Sequence, residues 1–141
     1  MTERLSFSNR EEWLAFRQKG IGASEAGAIM GTNKSRTKLD LWRIKTGQTP
    51  EPDLSGVEVV QRGIAMEPAI RAVYAAKHPE LRVVYHPYDV LFQRERPWLF
   101  CTLDAETYDE AGEPGTAEFK TASPRSREDW AEWDGRVPQK Y

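Results

Sequence analysis

Glu118 and Lys120 flank Phe119 in the stretch TAEFKTAS, and Asp104 precedes them across the Gly/Pro turn EAGEPG. In an extended strand alternate residues share a face, so Glu118 and Lys120 stand side by side while Ala117 and Phe119 point the other way. The same alternation in WLFCTLDAET gives Leu99, Cys101, Leu103 and Ala105 one face and Thr102, Asp104 and Glu106 the opposite one. If the two runs pair, Asp104 comes beside Glu118 with Lys120 one pleat along. Two carboxylates that close repel unless a cation lies between them, and hard oxygen donors favour magnesium or manganese. Magnesium takes about six oxygen ligands at ~2.1 Å, so the two carboxylates, the Phe119 backbone carbonyl and water or phosphate oxygens would complete its shell. Lys120 could then orient a water and stabilise charge building on a phosphate. That is the outline of a phosphodiester hydrolysis site.

A solvated surface ion pair is the competing account of Glu118 and Lys120. With 15 Glu and 7 Lys in the chain, chance alone gives roughly 0.7 Glu-x-Lys matches, so the tripeptide by itself decides nothing. Weight comes from the order of elements: Glu67 on a helix, Asp104 at a strand end, a turn, Glu118-x-Lys120 on the next strand, then a helix.

Those elements are readable from local signals. Ser8 and Glu11 form a capping box for a helix carrying Trp13, Leu14 and Phe16. After the turn Gly20-Ile21-Gly22, Ser24 can cap the small-residue helix EAGAIMG. Thr37 with Asp40 caps a helix through Trp42 and Ile44 that stops at Gly47. The longest helix is expected from about Ser55 to about Lys77, following Val60, Ile64, Ile70, Val73 and Tyr74, with Gly63 and Glu67 on one face and Pro68 favouring a bend. From Leu81 the pattern turns to strands in LRVVYHP, DVLFQRE, WLFCTLDAETYD and GTAEFKTA. A short helix in SREDWAEW follows, and VPQKY reads as the start of another.

FRQKGIGASE, RGIAMEP, CTLDAE and AEFKTAS, in that order, resemble the PD-(D/E)XK nuclease superfamily, in the branch of lambda exonuclease and the YqaJ-type viral recombinases. The resemblance implies an α/β fold with a restriction-endonuclease-like core, a mixed β-sheet flanked by α-helices. It implies that Asp104 and Glu118, with the Phe119 carbonyl, bind Mg2+ or Mn2+, that Lys120 is the catalytic lysine, and that Glu67 holds a metal-bound water or a second ion. Arg17 and Ser24 match the family's Arg and Ser that grip the 5′-terminal phosphate of DNA, and Thr102 matches a small hydroxyl residue assisting them. The residues alone agree that Arg17, a forked donor beside a Gly-bounded turn and the start of a helix, suits phosphate. Leu103 and Ala105 depart from the pattern, which often has Pro or a small residue before the Asp and Gly after it. The family also carries a Gln beyond a Tyr on the helix after the lysine strand; VPQKY aligns with that helix's start and the chain ends at Tyr141.

The expectation is therefore one nuclease-like domain over residues 1–141, with the C-terminal part of the family's core missing. Its implied activity is 5′ to 3′ digestion of linear duplex DNA with a 5′-phosphate in phage-type recombination. An endonuclease on the same scaffold, or an inactive DNA- or protein-binding relative, remains open beside it. By family analogy a trimeric homo-oligomer and a single-strand annealing protein are the implied partners.

Composition limits the alternatives. The formal net charge is -2 with 30% charged residues, so any nucleic-acid binding must be local. A single cysteine, Cys101, excludes an internal disulfide, and no Cys/His cluster exists for zinc. The N-terminus lacks a signal-peptide core and no run nears the ~18 apolar residues of a membrane span, so a soluble cytoplasmic protein is expected; the resemblance implies a phage or prophage protein in a bacterial host. Glu25 reads as a first-turn acid near a helix dipole, and Trp130 and Trp133 as core or subunit contacts.

Overall fold

A computed structural model describes residues 1–33, 35–121, 127–131, 133–135 and 137 of the chain. In chain order these form β1 (Thr2–Ser6), α1 (Arg10–Arg17), β2 (Ile21–Gly22), a 3-10 turn (Ala23–Glu25), α2 (Ala26–Met30), α3 (Lys38–Lys45) and α4 (Glu58–Lys77). Then come β3 (Arg82–Val84), β4 (Asp89–Gln93), β5 (Arg96–Cys101), β6 (Ala105–Tyr108), β7 (Pro114–Ala117) and α5 (Arg127–Ala131). The class is α/β, as expected, but the strands divide between two sheets. One is mixed, in the order β1-β4-β5-β2, with β2 parallel to β5; the other is antiparallel, in the order β3-β6-β7.

The run WLFCTLDAETYD, read from alternation as one strand, is thus two. β5 pairs with β4 and β2, whereas β6 pairs with β3 and β7. Residues 102–104 carry the chain from one sheet to the other. No Gly or Pro marks that corner, so alternation alone ran straight through it. β1 was not anticipated either. Its sequence, TERLS, has one large apolar residue, because as an edge strand it leans on pairing with β4 rather than on burial. Arg4 of β1 contacts both Asp89 of β4 and Glu106 of β6, pinning the two sheets together. Burial pushes both carboxyls up, but hydrogen bonds to Arg4, and to Ser6 for Asp89 and Tyr108 for Glu106, outweigh it and hold them below the usual range.

The core is small: Ala28, Leu41, Ile44, Val90, Phe100 and Ala105 are the buried apolar residues among those described. A run of aromatic rings extends it, with Phe16 set 5.2 Å from Phe7 and 5.5 Å from Phe100 between centroids. This seats α1 on the four-stranded sheet. α3 has the anticipated cap, Thr37 accepting from Asp40 N while Asp40 accepts from Thr37 N. The α1 cap is shifted by one residue: Asn9 accepts from Glu12 N, and Glu12 in turn accepts from Ser8 N. Asn, an N-cap residue as good as Ser, wins because it stands one position nearer the helix.

α4 runs continuously through Pro68. Its partly buried positions, Val60, Gly63, Glu67, Ile70, Arg71, Tyr74 and Ala75, recur every three or four residues and mark the inward face. Trp130 of α5 is 65% exposed, so of the expected core or subunit contact the core role is corrected among the described residues. Trp133 is half-buried, and residues 138–141 of the VPQKY helix start lie outside the described residues. No helix among the described residues is long and apolar enough to cross a membrane.

Candidate active site

The antiparallel register of β6 and β7 sets Ala105 opposite Ala117, so one step beyond the ladder Asp104 faces Glu118. β7 ends at Ala117, earlier than the expected strand, and a side chain explains why. Asp104 Oδ2 accepts the Phe119 N–H at 2.7 Å, replacing the backbone partner that would have continued the ladder. Glu118, Phe119 and Lys120 consequently leave the strand in an extended loop, with Glu118 and Lys120 in direct contact through Oε1 and Nζ. That pair is open to solvent, 54% and 36% exposed at the side chains, so it adds little stability and separates at small cost.

α4 lies along this loop. A Cβ on Gly63 would come 3.5 Å from Thr121 Oγ1, and the Tyr74 ring meets Phe119 edge-on at 5.5 Å between centroids. Glu67 and Arg71 fall between those two contacts on the same face. Burial, then the negative charges of Asp104 and, less strongly, Glu118, push the Glu67 carboxyl above the usual carboxylate range, against the pull of Arg71. Glu67, Asp104 and Glu118 therefore share one electrostatic field. Among the described residues, however, no three acidic, His or Cys side chains converge closely enough to ligate one ion. Glu118 is turned to Lys120 and Asp104 to the Phe119 N–H.

Two residues of this site escaped the sequence reading. Arg71 Nη1 donates to the Asp104 carbonyl at 2.6 Å, meets Glu67 Oε1 at 3.3 Å, and its guanidinium lies 3.7 Å from the Tyr85 ring centroid. Burial and the charge of Glu67 raise the Tyr85 hydroxyl above its ordinary value. Arg71 was detectable as the i+4 partner of Glu67 on one helix face. Tyr85 had no signal, because its approach depends on the loop after β3.

Arg17 and Ser24 form a second cluster. Arg17 Nη2 donates to Ser24 Oγ at 3.2 Å, and its guanidinium rests 4.5 Å from the Trp13 ring centroid, one helical turn earlier. Burial lowers the Arg17 pKa, opposed by the charges of Glu25 and Glu51; arginine still carries its charge at neutral pH. Ser24 does not cap α2. It sits inside the 3-10 turn, which Glu25 closes by accepting from Gly22 N through Oε2 at 2.8 Å, and α2 itself has no side-chain cap. Glu25 is a first-turn acid, as read, but it is also buried and ion-paired with Lys45 at 2.9 Å, a partner the sequence reading did not find. Because β2 runs parallel to β5 with Gly22 opposite Phe100, the two chains leave the sheet together, one toward Ser24 and the other toward Thr102. Thr102 is half-buried in the segment that ends at Asp104, which links the two clusters.

Comparison with known proteins agrees with this arrangement of elements. The uncharacterized protein YqaJ of Bacillus subtilis (strain 168) is 33% identical over 136 residues, covering 94% of this chain. The chain spans about two fifths, 39%, of that relative's length. Residues 12–141 match the YqaJ-like viral recombinase domain, and the chain belongs to that family.

Proposed function

We propose that this domain hydrolyses DNA phosphodiester bonds with Mg2+ or Mn2+, as a 5′ to 3′ exonuclease on linear duplex ends in phage-type recombination. The observation that carries the reading is the juxtaposition of Asp104, Glu118 and Lys120 where β6 begins and β7 ends, with Glu67 in their field. The donors are all oxygen and mutually repulsive, which is the chemistry a hard divalent cation relieves. Asp104, Glu118 and the Phe119 carbonyl would hold such an ion, which when bound supplies Lewis acidity and neutralises charge at the phosphodiester.

The chain's own groups supply the rest. Lys120 Nζ, once parted from Glu118, can donate to the attacking water and to the phosphate oxygen on which charge builds. Glu67, its carboxyl raised above the usual carboxylate range by burial and by Asp104, can take or return a proton. As the water oxygen bonds to phosphorus the P–O3′ bond breaks, and the shortened strand keeps a new 5′-phosphate. Arg17 and Ser24, with Thr102 on the connecting segment, would receive that end. Family likeness adds a homo-oligomer, a single-strand annealing partner and a bacterial cytoplasmic setting to this proposal.

A second reading, an inactive DNA-binding relative, draws on the Glu118–Lys120 contact and the lack of a three-ligand cluster among the described residues. One experiment separates them: digestion of linear 5′-phosphorylated duplex in magnesium or manganese by this chain and by a C-terminally longer version. Glu118→Ala and Lys120→Ala should each slow release of nucleotides by roughly a hundredfold or more. Variants as fast as the parent would refute the assignment. Equal cutting of closed circles would favour an endonuclease, and DNA binding without cutting by either version would favour the second reading.

A further inference from the structure

Lys45 joins the Arg17–Ser24 cluster from a different helix. Its Nζ lies 2.9 Å from Glu25 Oε1 and donates to the Arg17 carbonyl at 2.7 Å, while the other Glu25 oxygen is taken by Gly22 N–H. The pair is shielded, with 10% of the Glu25 side chain and 13% of the Lys45 side chain exposed. Glu25 is also a close neighbour of the Arg17 guanidinium. A single Cβ placed on Gly22 would lie 3.6 Å from Arg17 Nη2 and 3.7 Å from Glu25 Oε2. A buried carboxylate so near is the natural partner for a guanidinium, yet among the described residues Arg17 forms no carboxylate ion pair and donates to Ser24 instead.

We propose that Lys45 is a positioning residue for the candidate phosphate site: by neutralising Glu25 and holding the Arg17 backbone, it keeps the Arg17 guanidinium uncommitted and turned toward Ser24 for a terminal phosphate monoester of DNA. The inference rests on Arg17 and Ser24 binding that phosphate. It adds a charge balance that sets how strongly they do so. Without the ammonium, Glu25 would compete with phosphate for the same guanidinium, and the forked donor would be drawn inward.

The test uses binding, so that it is independent of cutting. Anisotropy of short blunt duplexes, with either a 5′-phosphate or a 5′-hydroxyl, is measured in EDTA with the whole chain. The parent should prefer the phosphorylated end, and Arg17→Ala should lose that preference. Lys45→Gln keeps a hydrogen-bond donor but no charge, and should reduce the ratio of affinities by about tenfold, the effect of weakening one charge-assisted hydrogen bond. Glu25→Gln/Lys45→Gln removes both charges together, which buried pairs tolerate better than losing one, and should recover the ratio to within about threefold of the parent. Recovery would exclude direct phosphate contact by Lys45, which the double variant lacks as well. If Lys45→Gln does not fold, the double variant alone decides: a ratio near the parent's supports the proposal, and one at the Arg17→Ala level overturns it. A folded Lys45→Gln with an unchanged ratio, while Arg17→Ala loses it, also overturns the proposal and leaves the phosphate reading standing. A parent with no end preference, or an Arg17→Ala that retains it, overturns the phosphate reading itself and the proposal with it.

Discussion

Arg71→Met asks how firmly the helix bearing Glu67 is fastened to the strand bearing Asp104. Methionine preserves length and helix propensity but removes every polar contact of the guanidinium. The hydrogen bond to the Asp104 carbonyl, at 2.6 Å, joins a charged donor to a partly buried acceptor, an interaction worth about 1.5–3 kcal/mol. The Glu67 pair, at 3.3 Å and one helical turn away, adds roughly 0.3–0.5 kcal/mol. Stacking on Tyr85 at 3.7 Å adds about 0.5–1 kcal/mol. Allowing for the packing that methionine retains, the expected loss is on the order of 3 kcal/mol, a large share of a typical domain's ~5–15 kcal/mol. Urea unfolding followed by tryptophan fluorescence measures it as a lower midpoint at constant m-value. A double-mutant cycle with Glu67→Gln should assign only a minor part, about 0.5 kcal/mol, to the ion pair. A loss below about 0.5 kcal/mol in Arg71→Met would mean that the Asp104 carbonyl contact contributes nothing, refuting the view that Arg71 fixes the strand end.

Glu67→Gln should also reshape the pH dependence of stability. Because its folded carboxyl is raised by burial and by Asp104, Glu67 favours folding fully only below its unfolded pKa, and that contribution is lost as pH rises through the folded value. Thermal melts from pH 4 to 8 should therefore show the variant gaining on the parent toward neutral pH and matching it in acid; parallel curves would contradict the raised carboxyl. Gly20→Ala should destabilise by about 1–3 kcal/mol, because its Cβ would lie 2.4 Å from the Trp98 carbonyl and 3.0 Å from the Phe100 ring. Gly56→Ala, with nothing within 4 Å, should be neutral within about 0.5 kcal/mol in the same denaturation assay.

The sequence carried the local features well and the long-range ones poorly. Thr37 and Asp40 marked the start of α3 because a capping box is written within four residues. The approach of Asp104 to Glu118 was legible because a Gly/Pro turn between two alternating runs implies antiparallel pairing, and the register places them opposite one another. Illegible were features decided by distant partners. The corner at residues 102–104 exists because β5 and β6 have different neighbours, and the early end of β7 depends on the Asp104 side chain reaching Phe119 N. The pairing of Glu25 with Lys45 was illegible because Lys45 lies on another helix, and no periodicity connects the two.

The strand β1 has a consequence for how the chain matures. Arg4 meets Asp89 across 85 positions and Glu106 across 102. During translation at about 5–20 residues per second, β1 must wait several seconds for those acids to be made. Until then the edge of the four-stranded sheet is unformed and the Arg4 pin has nothing to hold. Contacts of such high sequence separation slow the search for the native state, so closure of the two sheets on each other should be a late folding event, before which β1 is the strand without its partner.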